Sequence, residues 1–443
     1  MISRGARILG LDIGTHSVKA VELARSGDRY SVTGYAQAEI AANGTLKDAI
    51  TAVLRDGRFK SKQVVSSVSG RSVIVRYINT PHMKTDDLKA SMKFEADKYI
   101  PFDVNEVILD CVPLDDKPSA ETGDMRVVLV AVKKDVVDEH VRLLQEAGLY
   151  PYIIDVDCFA LGNAFENSDQ TLAVAEPLAE QEAAGDSEDA DAGDDGQEVV
   201  EAEAPVSTID PEEVAEEVKA EITDFLEEND DDAESEAVEA GEEPTGPSVT
   251  LASAIPDLEA PQEPAGEAPG ETEAKKPDAM PKVYALVDMG AQKTNINIVS
   301  GTNSYFTREV YIGGEDMSEA ISKHLGVTPE EAEQIKRSGE REVEVIEAIA
   351  QTIDDLANEV FLSFDYFENQ FDTEIKTVYI SGGGSRLKGL QGVLAQTLGR
   401  DVRTWDPVAG MDVSLSSAQA AKLRESAPQL AVAMGLASRL RTV

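Results

Sequence analysis

Two stretches of the chain place an aspartate two residues ahead of a glycine at the end of an apolar run. Leu9-Gly-Leu-Asp12-Ile-Gly14-Thr15-His16-Ser-Val-Lys-Ala-Val-Glu-Leu23 is echoed by Ala285-Leu-Val-Asp288-Met-Gly290-Ala291-Gln292-Lys-Thr-Asn-Ile-Asn-Ile-Val299. Each reads as a strand, an Asp-x-Gly, a short polar turn and a second, alternating strand. Glycine lets such a turn close tightly and approach a ligand with no Cβ in the way. Successive N–H groups of the turn can then point at phosphate oxygens. The carboxylate stands where it can hold a divalent cation, directly or through water. One such turn is ordinary hairpin chemistry. Two in matched context point to a polyphosphate gripped from both sides.

Two further stretches suit a nucleotide. Ser381-Gly382-Gly383-Gly384-Ser385-Arg386 follows an apolar strand and is predicted to open a helix over 387–398. A glycine-rich turn of that kind permits close approach and presents free helix N–H groups, though it also serves as a plain tight connection. At Thr328-Pro-Glu-Glu-Ala-Glu333-Gln-Ile-Lys336, Thr328 and Glu331 form a capping box with Pro329 at the first helical position. Glu333 and Lys336 then share a helix face and can reach one ligand, or simply pair with each other.

The elements that position these residues alternate between strands and helices, hence an α/β fold. Strands are predicted at 8–13, 18–23 and 30–40, and helices at 87–99 and 135–149. The second half begins with strands at 283–288, 294–299 and 304–312. A long apolar-striped helix over 343–367 and a strand at 376–380 follow. Matching hairpins in two halves imply pseudo-symmetric lobes with a cleft between them.

Between Gln170 and Pro281 lie 36 acidic residues against three lysines, which accounts for −33 of the formal charge of −44. The segment is nearly free of aromatics and cannot bury enough apolar surface to offset chain entropy, so it is expected to be a long disordered acidic insertion. One island, from Asp210 to Leu226, carries Val214, Val218, Ile222 and Phe225 at helical spacing behind a capping signal. The remaining −11 is ordinary for a globular protein, and nucleic acid is disfavoured as a partner because phosphate binding needs a basic surface. Two cysteines outside any CxxC pattern suit a reducing compartment. No apolar run approaches the roughly 18 residues that span a bilayer, and the N-terminus lacks a signal-peptide pattern, so a cytoplasmic location is expected.

The order Asp-Ile-Gly-Thr, Asp-Met-Gly-Ala, Gly-Gly-Glu-Asp, Glu-x-x-Lys and Ser-Gly-Gly-Gly resembles the actin and sugar-kinase superfamily. Within it the chain is most similar to the type IV pilus assembly PilM family, relatives of FtsA. The specific marks are the first hairpin, Phe94-Glu-Ala-Asp-Lys-Tyr-Ile-Pro-Phe102, Phe306-Thr-Arg-Glu-Val-Tyr-Ile-Gly-Gly314 and the tail Ala427-Pro-Gln-Leu-Ala-Val-Ala-Met-Gly-Leu-Ala437. The resemblance covers nearly everything outside 170–281.

What the resemblance implies is an actin-like two-lobed fold with duplicated RNase H-like subdomains. Subdomain 1A would comprise 1–79, 150–169 and the helix within 411–443. Subdomain 1C would be 80–149, 2A would be 282–315 with 375–410, and 2B would be 316–374. ATP with Mg²⁺ would lie between the lobes. Gly14, Thr15, His16, Gly290, Ala291 and Gln292 would meet phosphates. Asp12 and Asp288 would anchor the cation, and Asp157 is a candidate for orienting water. Glu333 and Lys336 would hold the ribose and adenine region, flanked by Gly382, Gly383, Gly384 and Arg386. The family implies weak or absent hydrolysis and an adaptor's role. Its partner would be the N-terminal cytoplasmic tail of a PilN-like inner-membrane protein, seated near Phe94–Phe102, together with other pilus assembly proteins. That contact would place the chain at the inner membrane through a partner. An FtsA-like polymerising division protein, which should end in a basic amphipathic helix, is one alternative. A small-molecule kinase, which should carry an acceptor domain, is another.

Overall fold

The computed structural model describes residues 7–27, 29–114, 123–168 and 282–439. The predicted acidic insertion and its helical island lie outside the described residues. The first lobe is built on β1 (Arg7–Ile13), β2 (Ser17–Ser26), β3 (Arg29–Glu39), β4 (Gln63–Val68), and further along the chain β8 (Tyr150–Val156) and β14 (Asp412–Val413). Between β4 and β8 come β5 (Val73–Pro81), β6 (Val107–Pro113) and β7 (Asp124–Lys133), which form a small separate sheet. The second lobe holds β9 (Val283–Met289), β10 (Thr294–Ser300), β11 (Asn303–Val310), β12 (Thr377–Ser381) and β13 (Asp401–Thr404).

The two large sheets repeat one topology. The first runs β14-β3-β2-β1-β4-β8 and the second β11-β10-β9-β12-β13. In both, an antiparallel three-strand meander is extended by two parallel strands reached through helical crossovers. The sequence echo between the two hairpins is therefore an echo of the whole sheet.

Helix Glu342–Phe371 covers one face of the second sheet with Val345, Ile349, Ile353, Leu356, Val360, Phe364 and Phe367, all buried at three- and four-residue steps. The first lobe is closed by helix Ala431–Ala437, buried on every side, which lies against β1 and helix Asp157–Asn167. Gly435 makes that crossing possible: a Cβ there would stand 1.7 Å from Ala160 O. Between the lobes, Phe165 of the first packs on Tyr284, Tyr379 and Trp405 of the second with ring centroids 5.0–5.5 Å apart. Such pairs contribute roughly 0.5–1.5 kcal/mol each beyond area burial. The small sheet β5-β7-β6 carries helix Thr85–Glu95, whose Leu88 and Met92 pack on Met125, Val127 and Leu129.

Two predicted helices need correction. The glycine turn after β12 does not open the helix at Leu387. It passes through a 3₁₀ turn at Gly384–Arg386, and the helix begins at Leu390, because Gly389 sits at φ +80°, outside helical geometry. The helix predicted over 87–99 stops at Glu95 and tightens into a 3₁₀ turn at Ala96–Lys98.

Candidate functional site

The two Asp-x-Gly turns have one geometry. In the first hairpin Asp12 pairs across to Lys19, and in the second Asp288 pairs across to Asn295. Gly14 N donates to Ser17 O at 3.1 Å and Gly290 N to Lys293 O at 2.8 Å, closing the same tight turn twice. Among the described residues, nothing accepts from the N–H groups of Thr15, His16, Ala291 or Gln292. Both turns line one cleft of about 760 Å³ between the lobes.

Every residue given a phosphate, nucleoside, cation or water-orienting role in the sequence reading lines that cleft except Gly382. Gly382 lies behind it at φ +85°, where its N–H donates to Pro428 O at 2.8 Å and a Cβ would stand 2.3 Å from Met289 O. Its conformation delivers Gly383, Gly384 and Arg386 to the lining.

The paired carboxylates sit in unlike surroundings. Asp12 Oδ2 accepts from Lys19 Nζ at 2.8 Å, whereas Asp288 Oδ1 accepts from the Ser381 hydroxyl at 2.7 Å. Burial pushes the Asp288 carboxyl up to about 6, against the pull of Ser381 and Lys19, while the charges of Asp12 and Asp157 add to the rise. A cation bound between the turns would relieve that penalty. Among the described residues no group of three or more His, Cys, Asp or Glu side chains could hold a metal ion. A cation here would therefore need oxygens from its ligand or from water, as Mg²⁺ beside phosphates usually does.

On the opposite wall, Glu333 accepts from Lys336 at 2.6 Å, Ser318 at 2.6 Å and Arg337 at 2.7 Å. Burial alone would raise its carboxyl, but these donors outweigh it and hold it at about 2. Lys336 also donates to Gly314 O at 2.7 Å. Glu333 and Lys336 thus share the helix face that the sequence predicts, and they are paired. Arg337 reaches across the mouth of the cleft to the first lobe, donating to Glu39 Oε1 at 2.7 Å and to His16 Nε2 at 2.8 Å.

Asp157 opens helix Asp157–Asn167. Its Oδ1 accepts from Cys158 N at 2.8 Å, and its Oδ2 accepts from Lys293 at 2.9 Å and Asn295 at 3.1 Å. The Oδ1 of Asn295, a buried side chain lining the cleft, has no hydrogen-bond partner among the described residues. Sequence reasoning assigned no role to Lys19, Lys293, Asn295 and Arg337, and none to the Ser381 side chain. Lys19 and Asn295 had a signal, since both stand seven residues beyond their aspartates in the repeated hairpin. Arg337 had none, because its reach to Glu39 and His16 depends on the packing of two lobes.

Unengaged turn N–H groups, an orphaned buried amide oxygen, a lysine and two facing aspartates fit a polyphosphate and its cation. The family model described as "Type IV pilus assembly protein PilM" matches residues 10–179 and 272–441. Among solved structures, "PilM-PilN type IV pilus biogenesis complex" is similar with a TM-score of 0.63 at 23% identity, over 98% of each chain. The ethanolamine utilization protein EutJ from Carboxydothermus hydrogenoformans follows with a TM-score of 0.43 at 11% identity, over 98% of this chain and 89% of that one. MreB 5 of Spiroplasma citri bound to AMPPNP gives a TM-score of 0.40 at 9% identity, over 98% and 95%. The fold is the α/β, actin-like two-lobed one. Among the described residues no helix is long and apolar enough to cross a membrane.

Proposed function

Because this chain belongs to the type IV pilus assembly protein PilM family, we propose that it is an ATP-binding adaptor whose cleft sets its grip on the cytoplasmic tail of a PilN-like inner-membrane protein. The observation that carries the nucleotide part is the pair of Asp-x-Gly turns with matching register and turn hydrogen bonds that line one cleft. The turn N–H groups of residues 14–16 and 290–292 would hold phosphates, and Asp12 and Asp288 would hold Mg²⁺ directly or through water. Glu333 and Lys336, with Gly383, Gly384 and Arg386, would hold the nucleoside, and Gly382 would shape that turn from behind. Mg²⁺ supplies charge neutralisation between phosphates and carboxylates. Lys19 orients Asp12 from beside it.

The coupling part rests on where the small sheet leans. Tyr77 of β5 meets Ser304 of β11 at 3.1 Å, and Asn303 donates to Leu114 O at 2.8 Å. Arg126 of β7 lies 4.3 Å over the Phe371 ring, and Arg71 lies 5.0 Å over Tyr311. The sheet thus belongs to the first half of the chain but touches the second lobe. A change in cleft closure therefore moves its supports, and a ligand that favours one closure state shifts the affinity for a partner bound there. Phe94, 85% exposed on helix Thr85–Glu95, is the apolar side chain this sheet offers to such a partner. The chain would sit at the inner face of the membrane through that partner, beside other pilus assembly proteins.

Calorimetric titration of Mg-ATP into wild type and Asp12→Ala, repeated with a PilN-like tail peptide, tests both parts. Micromolar binding lost in the variant, with peptide affinity differing between empty and Mg-ATP-loaded protein, is expected. Wild-type protein that ignores Mg-ATP would sink the nucleotide part. Peptide affinity indifferent to bound nucleotide would sink the coupling part alone.

A further inference from the structure

The floor of the cleft carries a charge arrangement that phosphate binding does not use. Lys293 belongs to the second lobe, yet its ammonium lies 2.9 Å from Asp157 Oδ2 of the first lobe and 2.6 Å from Glu309 Oε1 of β11. Glu309 in turn crosses back, both its oxygens 3.1 Å from Gly70 N in the first-lobe turn between β4 and β5. One lysine therefore ties together a helix start, a strand end and the turn that leads into the small sheet. Burial works against its charge, but Asp157 and Glu309 outweigh burial and hold the ammonium above the ordinary lysine range.

Asp157 has no idle oxygen. Oδ1 is taken by Cys158 N, and Oδ2 by Lys293 and Asn295. Hydrolysis of ATP forms a bond from a water oxygen to the γ-phosphorus and breaks the bond to the bridging oxygen. ADP and phosphate leave, and the water's proton passes to a phosphate oxygen or a nearby carboxylate. In-line attack needs that water oriented by an acceptor with a free lone pair. A carboxylate with roughly three of its four lone-pair positions taken, and an ammonium 2.9 Å away matching its charge, is a poor acceptor for that water.

We propose that Lys293 is a positioning residue that locks Asp157 away from water and struts the two lobes together, so that the cleft retains ATP rather than turning it over, an inference that rests on the nucleotide reading above. The lock also explains why a cleft with a suitably placed carboxylate suits an adaptor: the bound state persists because its acceptor is engaged elsewhere.

The test compares wild type, Lys293→Met, Lys293→Arg and Lys293→Met with Asp157→Asn. The readouts are Mg-ATP affinity by calorimetry, phosphate release in a single turnover, and hydrogen exchange at Gly70 N in nucleotide-free protein. Lys293→Met is expected to bind Mg-ATP and to release phosphate about a hundredfold faster, the low end of what a positioned acceptor contributes. Exchange at Gly70 should quicken as the strut is lost. Adding Asp157→Asn should return the slow rate, and Lys293→Arg should resemble wild type. Lys293→Met with Glu309→Gln removes one carboxylate along with the lysine, keeps the site's charge balanced should the single variant fail to fold, and should show the same acceleration. Mg-ATP bound but hydrolysed at the wild-type rate, or acceleration that survives Asp157→Asn, would overturn the lock. Wild-type protein that does not bind Mg-ATP would instead remove the nucleotide reading, and the inference with it.

Discussion

Asp12 and Asp288 hold the same place in two copies of one hairpin, but only Asp12 has a lysine opposite it. The difference is a stability statement. The Asp288 carboxyl titrates at about 6 in the fold, above the ~3.9 of a free aspartate. Between those values the folded chain holds a proton that the unfolded chain has lost, so this contribution is present at low pH and lost as pH rises through about 6. Asp288→Asn should therefore abolish a fall of up to roughly 2 kcal/mol in the stability of empty protein between pH 4 and 7. Melting curves of both proteins across that range measure it, and parallel curves would refute it. Binding of a Mg²⁺-nucleotide must displace that proton, so affinity should weaken below pH 6 in wild type and not in the variant. Arg337 acts differently. Its side chain is 48% exposed, so its ion pairs to Glu39 and Glu333 contribute under about 1 kcal/mol to stability. They do close the mouth of the cleft. Arg337→Ala should leave the melting temperature nearly unchanged and speed release of a fluorescent ATP analogue severalfold in stopped flow; an unchanged release rate would show that the mouth is not gated there. Asp288 is legible in the sequence because its motif is local. Arg337's reach across the cleft is not, because Glu39 and His16 lie 298 and 321 residues away.

At the scale of elements, legibility follows periodicity. The 30-residue helix Glu342–Phe371 shows a clean apolar stripe, and the hairpins show alternation, so both are plain in the sequence. Helix Asp157–Asn167 is buried on nearly all sides and has no polar face to mark its period, so nothing in the sequence distinguishes it from a buried strand. Helix Ala431–Ala437 is equally apolar, and its role shows only in the packing. Gly435 meets the backbone of Ala160, and Gly10 of β1 meets the other side, where a Cβ would stand 2.2 Å from Ala433 O. Neither clash is with a movable side-chain end. Gly435→Ala must push helix Ala431–Ala437 off helix Asp157–Asn167, which holds Asp157 at the cleft. The expected cost is of the order of 3 kcal/mol, at the upper end of overpacking penalties. Chemical denaturation measures it, and Mg-ATP affinity should fall along with stability. A variant of wild-type stability would mean that the two helices are free to separate.

Among the described residues, helix Asp157–Asn167 is followed in chain order by β9, which opens the second large sheet. The family match breaks between these two elements, covering 10–179 and 272–441. Residues 170–281 nevertheless carry −33 of the −44 formal charges. A charge of that size acts on association over about a Debye length, roughly 8 Å at physiological salt, and not on the packing of the lobes. Replacing 170–281 with a glycine-serine linker of about 15 residues should therefore leave a single cooperative unfolding transition. It should even gain about 1–2 kcal/mol, because a shorter loop costs less entropy to close. Mg-ATP affinity should stay within a fewfold of wild type. What should change is the salt dependence of binding to a basic peptide or an anionic vesicle, since the removed segment attracts the first and repels the second. Thermal melts and titrations at low and physiological ionic strength separate the two effects. A shortened chain that no longer unfolds cooperatively would show that the segment is part of the fold. An unaltered salt dependence would show that its charge is not what it contributes.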